Sequence, residues 1–110
     1  MSNPRNLSLT ALSVLQAVAH GYRYGFDIMD ATGIPSGTVY PALNRLERNG
    51  LLRSRWEAAS VAHVEKRPPR RYYSITAAGA DVLLEALALL RQLERSPGPG
   101  LGVSPRPAEG

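Results

Sequence analysis

The apolar positions of this 110-residue chain recur first at a helical period and later at a period of two. In residues 8–19, Leu9, Leu12, Val14, Leu15 and Val18 form one stripe of helical spacing. Ser8 is placed to cap that helix and Gly21 to stop it. Residues 24–32 predict a short second helix, with Phe26, Ile28 and Met29 facing inward and Gly33 as its stop. A turn at Ile34-Pro35-Ser36-Gly37 leads into a third helix over 37–49, which Ser36 caps and Gly50 ends. A cap at Ser36 puts Pro41 at the fifth helical position, where it forfeits a bond to the Gly37 carbonyl. Either the first turn is loosened or the cap lies one residue later.

The period then changes. Residues 51–56 and 71–75 predict two short strands. The polar, basic segment between them contains Pro68-Pro69 and reads as a long mobile hairpin tip. Thr76 caps a fourth helix over 77–95, rich in Ala and Leu. The order is that of a mainly α winged helix-turn-helix: three helices and a two-stranded wing, followed by a C-terminal dimerisation helix. The expected organisation is a flexible arm over 1–7, the winged head over 8–76, the dimerisation helix over 77–95, and a Pro- and Gly-rich disordered tail over 96–110. No internal repeat is present.

Composition narrows the class. With no cysteine, the chain has neither a disulfide framework nor a thiolate metal site, which fits a reducing cytosol. The start does not read as a signal peptide. The most apolar window, 82–90, is interrupted by Glu85 and falls short of the roughly 18 residues a membrane span needs. A soluble cytoplasmic, nucleoid-associated protein is expected. Of the net charge of +4, residues 36–75 carry +5 and the rest of the chain −1. The basic excess is therefore confined to the middle of the chain, as expected of a face that meets a polyanion.

On a helical wheel, Val39, Ala42, Leu43 and Leu46 form the inner stripe of the third helix. Gly37, Thr38, Pro41, Asn44, Arg45 and Arg48 occupy the opposite arc, with Ser36 at its start and Tyr40 at its margin. Arg bonds guanine bidentately, Asn does the same for adenine, and Thr serves a phosphate or a base edge. Tyr40 is placed to reach a phosphate through its hydroxyl. An ordinary solvated helix carries similar residues; the preceding short helix and the basic hairpin that follows are what favour a reading head. In that hairpin Arg53 and Arg55 project from one side of the strand, while Lys66, Arg67, Arg70 and Arg71 cluster at the tip and return. These six suit a phosphate backbone or a minor groove and would position the protein more than specify sequence.

The fourth helix carries an apolar surface too wide for a lone helix to bury. Leu83, Leu87, Leu90 and Leu93 are the candidate homodimer contacts. Catalysis has poor candidates. His20 ends a helix and His63 lies in the tip; neither has a nucleophile or metal-ligand partner by spacing. Gly21 and Gly25 read as helix punctuation, and no Gly-rich phosphate loop occurs. No enzyme activity, metal or cofactor is expected.

Several runs resemble the PadR family of regulators. They are Tyr24-Gly25-Phe26-Asp27-Ile28-Met29, Pro35-Ser36-Gly37-Thr38-Val39-Tyr40-Pro41-Ala42-Leu43, Arg45-Leu46-Glu47, Asn49-Gly50-Leu51 and Arg71-Tyr72-Tyr73-Ser74-Ile75-Thr76. The resemblance spans about residues 7–95, and its most specific part is Gly-Thr-Val-Tyr-Pro-Ala-Leu. It implies a winged-helix dimer that binds palindromic promoter DNA, usually as a repressor released by a ligand or signal. It also implies that the helix bearing Thr38 to Pro41 is the recognition helix and that Tyr40 touches DNA. The chain departs from the family at Phe26, where many members have Tyr, and in a wing tip that is longer than usual and has no Gly between Glu57 and Tyr72. With a single C-terminal helix, as in the shorter members, any ligand pocket is expected at the dimer interface.

The leading reading is a homodimeric repressor with promoter DNA and itself as partners. The alternative is a sensor of a small anionic ligand or second messenger whose binding controls DNA release, since Arg side chains and helix N-termini also favour phosphates.

Overall fold

In a computed structural model, which describes residues 7–95, the chain begins with α1 (Leu9–Ala19). The Ser8 side chain accepts the Ala11 amide at 3.1 Å, as its capping position predicts. The two ends expected to be a flexible arm and a disordered tail fall, apart from Leu7, outside the described residues. α2 (Gly25–Thr32) and α3 (Ser36–Arg48) follow, then β1 (Leu52–Trp56), a short α4 (Ala59–Val64), β2 (Arg71–Ile75) and α5 (Ala77–Arg95). The strands form one antiparallel pair in which Leu52 faces Ile75, Ser54 faces Tyr73 and Trp56 faces Arg71.

The core lies where α1 is enclosed by the other elements. Val14, Leu15, Ile28, Val39, Leu43 and Leu46 are fully enclosed, and Leu51, Tyr73, Val82 and Leu83 close the cluster from the hairpin and α5. Each such aliphatic side chain contributes roughly 1.5–3 kcal/mol over its exposed state. The Thr76 hydroxyl caps α5 by accepting the Gly79 amide at 3.0 Å, and it donates to the Gly50 carbonyl at 2.7 Å. This single side chain joins the end of α3 to the start of α5. Gly79 packs against the Leu51 carbonyl so closely that a β-carbon would overlap it.

Four expectations need correction. Phe26 does not face inward but is 66% exposed. It lies two residues from the enclosed Ile28, about 200° around the helix, whereas Gly25 and Met29 share the Ile28 side. α3 is capped by Pro35 rather than by Ser36 or the residue after it, so Pro41 stands sixth in the helix. The helix runs through Pro41 because the Gly37 carbonyl that loses its partner lies on the exposed face, where solvent satisfies it.

The third correction concerns the wing tip, which folds instead of forming a loose loop. Ala59–Val64 is a helical turn that buries Ala62. It ends in a Schellman pattern, with the Lys66 amide donating to the His63 carbonyl and the Arg67 amide to that of Ala62. Gly50 fills the left-handed position at the end of α3, but here Lys66 adopts it with φ 59°. The last correction concerns Leu83, which lies 7% exposed in the chain's own core and is not available to a second chain.

Candidate nucleic-acid interface

The two faces of α3 separate as its pattern predicts. Val39, Ala42, Leu43 and Leu46 are buried, while Ser36, Gly37, Thr38, Pro41, Asn44, Arg45 and Arg48 are exposed. The side chains of Thr38, Asn44, Arg45 and Arg48 have no hydrogen-bond or ion-pair partner among the described residues. Two guanidinium groups, one amide and one hydroxyl are thus presented on a rigid helix whose other side is anchored in the core. The start of this face adjoins the first turn of α1, where Ser8, Thr10, Gly37, Thr38 and Arg45 line a shallow cleft of about 220 Å3.

Tyr40 is held differently from its neighbours. It stays 45% exposed, but its ring and hydroxyl lie over Gly25, where a β-carbon would overlap them. Gly25 opens α2 and is therefore more than helix punctuation. Its missing side chain admits Tyr40, and the contact sets the spacing of α2 against α3.

The wing is braced, both within itself and to the body, by groups that the charge pattern had assigned to phosphate. Arg67 donates to both oxygens of Glu57 at 2.6 and 2.9 Å, while the Arg70 amide and the Tyr72 hydroxyl each donate to Glu57 at 3.2 Å. The Arg67 hydrogen bonds, more than any other contact, pull the Glu57 carboxyl down to about 2 from an ordinary 4.5. Glu57 in turn raises the Arg67 guanidinium. Arg71 donates to Glu47 of α3 at 3.1 Å and to the Ser54 hydroxyl at 3.0 Å, and Ser54 donates to Glu47 at 2.7 Å. Arg70 stacks on Tyr24 with 4.1 Å to the ring centroid, and Arg23 on Tyr72 at 5.2 Å. The Tyr73 amide donates to the Arg23 carbonyl at 2.7 Å. Arg67, Arg70 and Arg71 therefore act as braces.

Arg53, Arg55 and Lys66 remain exposed, with side chains unpartnered among the described residues. Strand alternation puts Arg53 and Arg55 on the hairpin face opposite Ser54, the residue tied to α3. Sequence reasoning missed Glu47, Glu57 and Gly25. The one signal for the two acids was their position inside an otherwise basic stretch, since isolated carboxylates there need cationic neighbours.

Along α5, Leu87 and Leu90 pack partly on the core, while Leu93 is 48% exposed. Leu84, Leu89 and, on α1, Leu9 are exposed as well. Leu7, Leu9, Leu12, Ala86, Leu89 and Leu90 line an apolar groove of about 500 Å3 between α1 and α5. Among the described residues, no helix is long and apolar enough to cross a membrane.

The Transcriptional regulator PadR-like family matches residues 12–85. No curated protein matches the chain. Among solved structures it is similar to a PadR-like transcription factor from Bacteroides fragilis, at 26% identity with a TM-score of 0.68, over 78% of this chain and 84% of that one. A PadR family regulator from Eggerthella lenta DSM 2243 is 28% identical with a TM-score of 0.65, over 83% of this chain and 82% of its own. One from Clostridium difficile R20291, at 22% identity, shares the fold with a TM-score of 0.74, over 86% of this chain and all of its own.

Proposed function

The chain belongs to the PadR-like family of transcriptional regulators, whose members are not enzymes, and from that premise we propose a homodimeric repressor that reads a palindromic promoter site. The observation that carries this reading is the outer face of α3, where Asn44, Arg45 and Arg48 stand exposed and unpartnered on a helix anchored in the core. This helix enters the major groove, where such groups meet base edges. Ser36, Gly37 and Thr38 bring the helix start close to a phosphate. Tyr40 and Pro41 shape the flank, and Arg53, Arg55 and Lys66 approach the backbone or minor groove from the wing. A regulator bound to promoter DNA would sit at the nucleoid.

Two heads are needed for a palindrome, separated by about one helical turn of roughly 34–36 Å or a multiple of it. The groove between α1 and α5, with Leu9, Leu89 and Leu93 exposed beside it, supports pairing along this side of the molecule. Leu89→Glu is expected to shift the protein toward monomer in sedimentation; a dimer of undiminished stability would refute pairing on this face.

The deciding experiment titrates the protein against its own promoter and against random DNA at several salt concentrations. Specific binding is expected to weaken steeply with salt, by about 0.9 in the log–log slope per neutralised phosphate. Equal affinity for promoter and random DNA would overturn the specific-reader assignment. A reporter driven by the promoter should then rise when the regulator is removed; a fall would make it an activator.

A further inference from the structure

Glu47 lies on the turn of α3 that carries Arg45 and Arg48, and Ser54 stands between Arg53 and Arg55 on β1. The exposed cations of the helix and those of the wing thus flank the two ends of one polar contact. Ser54 donates to one Glu47 oxygen at 2.7 Å and Arg71 to the other at 3.1 Å, while Arg71 also donates to Ser54 at 3.0 Å. The network closes on itself, since both carboxylate oxygens accept and the hydroxyl donates as well as accepts. The Arg71 and Glu47 side chains are 38% and 30% exposed, so the pair is partly shielded from the solvent that weakens most surface ion pairs. The Arg71 guanidinium is further confined by the Trp56 and Tyr73 rings, at 5.7 and 5.8 Å to their centroids.

The backbone alone does not fix how the wing stands against α3. Three residues join α3 to β1, and the middle one, Gly50, takes the left-handed region at φ 77°. Leu51 and Leu52 are buried and anchor only the start of the strand. β2 is held elsewhere, by its Tyr73 amide on the Arg23 carbonyl and by Arg70, beside its start, on Tyr24. Among the described residues, every side-chain hydrogen bond and ion pair between α3 and the two strands runs through Glu47.

We propose that Glu47 is a positioning residue for sequence reading. With Ser54 and Arg71 it sets the spacing between the cations that reach base edges and those that reach phosphates, so that one DNA site satisfies both. Directional contacts of this kind need their groups held within about 0.5 Å, which a closed hydrogen-bond network on rigid elements provides. The inference rests on the proposed mode of DNA reading, in which α3 meets the bases and the wing meets the backbone.

Titrations of Glu47→Gln against promoter and random DNA separate geometry from charge. The substitution removes a negative charge beside a polyanion, so charge alone predicts tighter binding to every sequence. The tie predicts a split. Affinity for random DNA holds or rises, while the promoter-to-random ratio falls about tenfold, the discrimination of one misplaced base contact. Ser54→Ala breaks the same network without changing net charge, and it should lower the ratio severalfold with the salt slope unchanged. In Glu47→Gln combined with Arg71→Gln, the ratio should fall no further than in the worse single variant, because the three groups act as a unit. Helical content is expected to be retained throughout; should Glu47→Gln fail to fold, Ser54→Ala carries the test.

A ratio unchanged in Glu47→Gln and Ser54→Ala would overturn the proposal, as would losses that simply multiply in the double variant. A uniform loss on promoter and random DNA would also overturn it, since the network would then support only the fold. The unsubstituted chain distinguishes the two levels of failure. Equal affinity for both DNAs there would remove the reading helix and the tie together. A promoter preference that survives the substitutions leaves the reading helix standing and removes only the tie.

Discussion

The phenol of Tyr40 lies directly over the α-carbon of Gly25, joining the start of α2 to the exposed margin of α3. The two residues are 15 positions apart in the chain, and the Tyr40 ring takes the space that a side chain at 25 would fill. An alanine at 25 would overlap both the hydroxyl and the ring carbons of Tyr40. Gly25→Ala is expected to cost about 1–3 kcal/mol by overpacking, despite the better helix propensity of alanine. Thermal unfolding of Gly25→Ala, Tyr40→Ala and the double variant tests the contact. The double variant should lose less than the two single losses combined, because removing the ring leaves room for the methyl. Strict additivity would show that the two residues do not touch.

Glu57 predicts a pH effect. Its carboxyl sits at about 2 in the folded chain against an ordinary 4.5, chiefly because of Arg67. A depressed folded value means that the stabilisation is complete above about pH 4.5 and lost as the pH falls toward about 2. In Glu57→Gln, that part of the dependence of melting temperature on pH should vanish. An unchanged profile between those limits would mean that Glu57 titrates normally.

Lys66 occupies a left-handed position where most chains place glycine. A non-glycine residue there costs roughly 1–2 kcal/mol, partly offset by its smaller entropy loss on folding. Lys66→Gly should therefore raise stability by up to about 1 kcal/mol in denaturant unfolding. At the same time, loss of one exposed cation should reduce the salt slope of DNA binding by about 1 if Lys66 meets a phosphate. A loss of stability would show that the α4 turn does not end as described.

The reading face and the wing should separate in a DNA-binding assay. Arg45→Ala is expected to cost about 1–3 kcal/mol on the promoter and relax preference at one base position. Arg55→Ala should weaken all sequences alike and lower the salt slope by about 1. If the two variants behaved identically across sequences, the division between base and phosphate contacts would be lost.

Much of the fold was legible in the chain because it depends on local rules. A 3.6-residue stripe with Ser8 or Thr76 before it and Gly21 or Gly33 after it specifies a helix whatever lies beyond, and the inner and outer arcs of α3 follow from periodicity alone. The candidate reading residues Asn44, Arg45 and Arg48 were recognisable for the same reason. Their roles depend on which way a helix faces, and the buried arc settles that direction.

The tertiary structure decided matters that require partners distant in sequence. Charge counting makes Arg67, Arg70 and Arg71 equivalent to Arg53 and Arg55. Only the fold brings Glu57 to the first, Tyr24 to the second and Glu47 to the third, across 10, 46 and 24 residues. It likewise claims Leu83 for the core and leaves Leu89 outside, although both are leucines on one helix. Whether a charge is a brace or a free contact, and whether a leucine is core or surface, depends on what packs against it. Periodicity places a side chain on a face of its own element, but the occupant of the opposite side is known only once the chain has closed on itself.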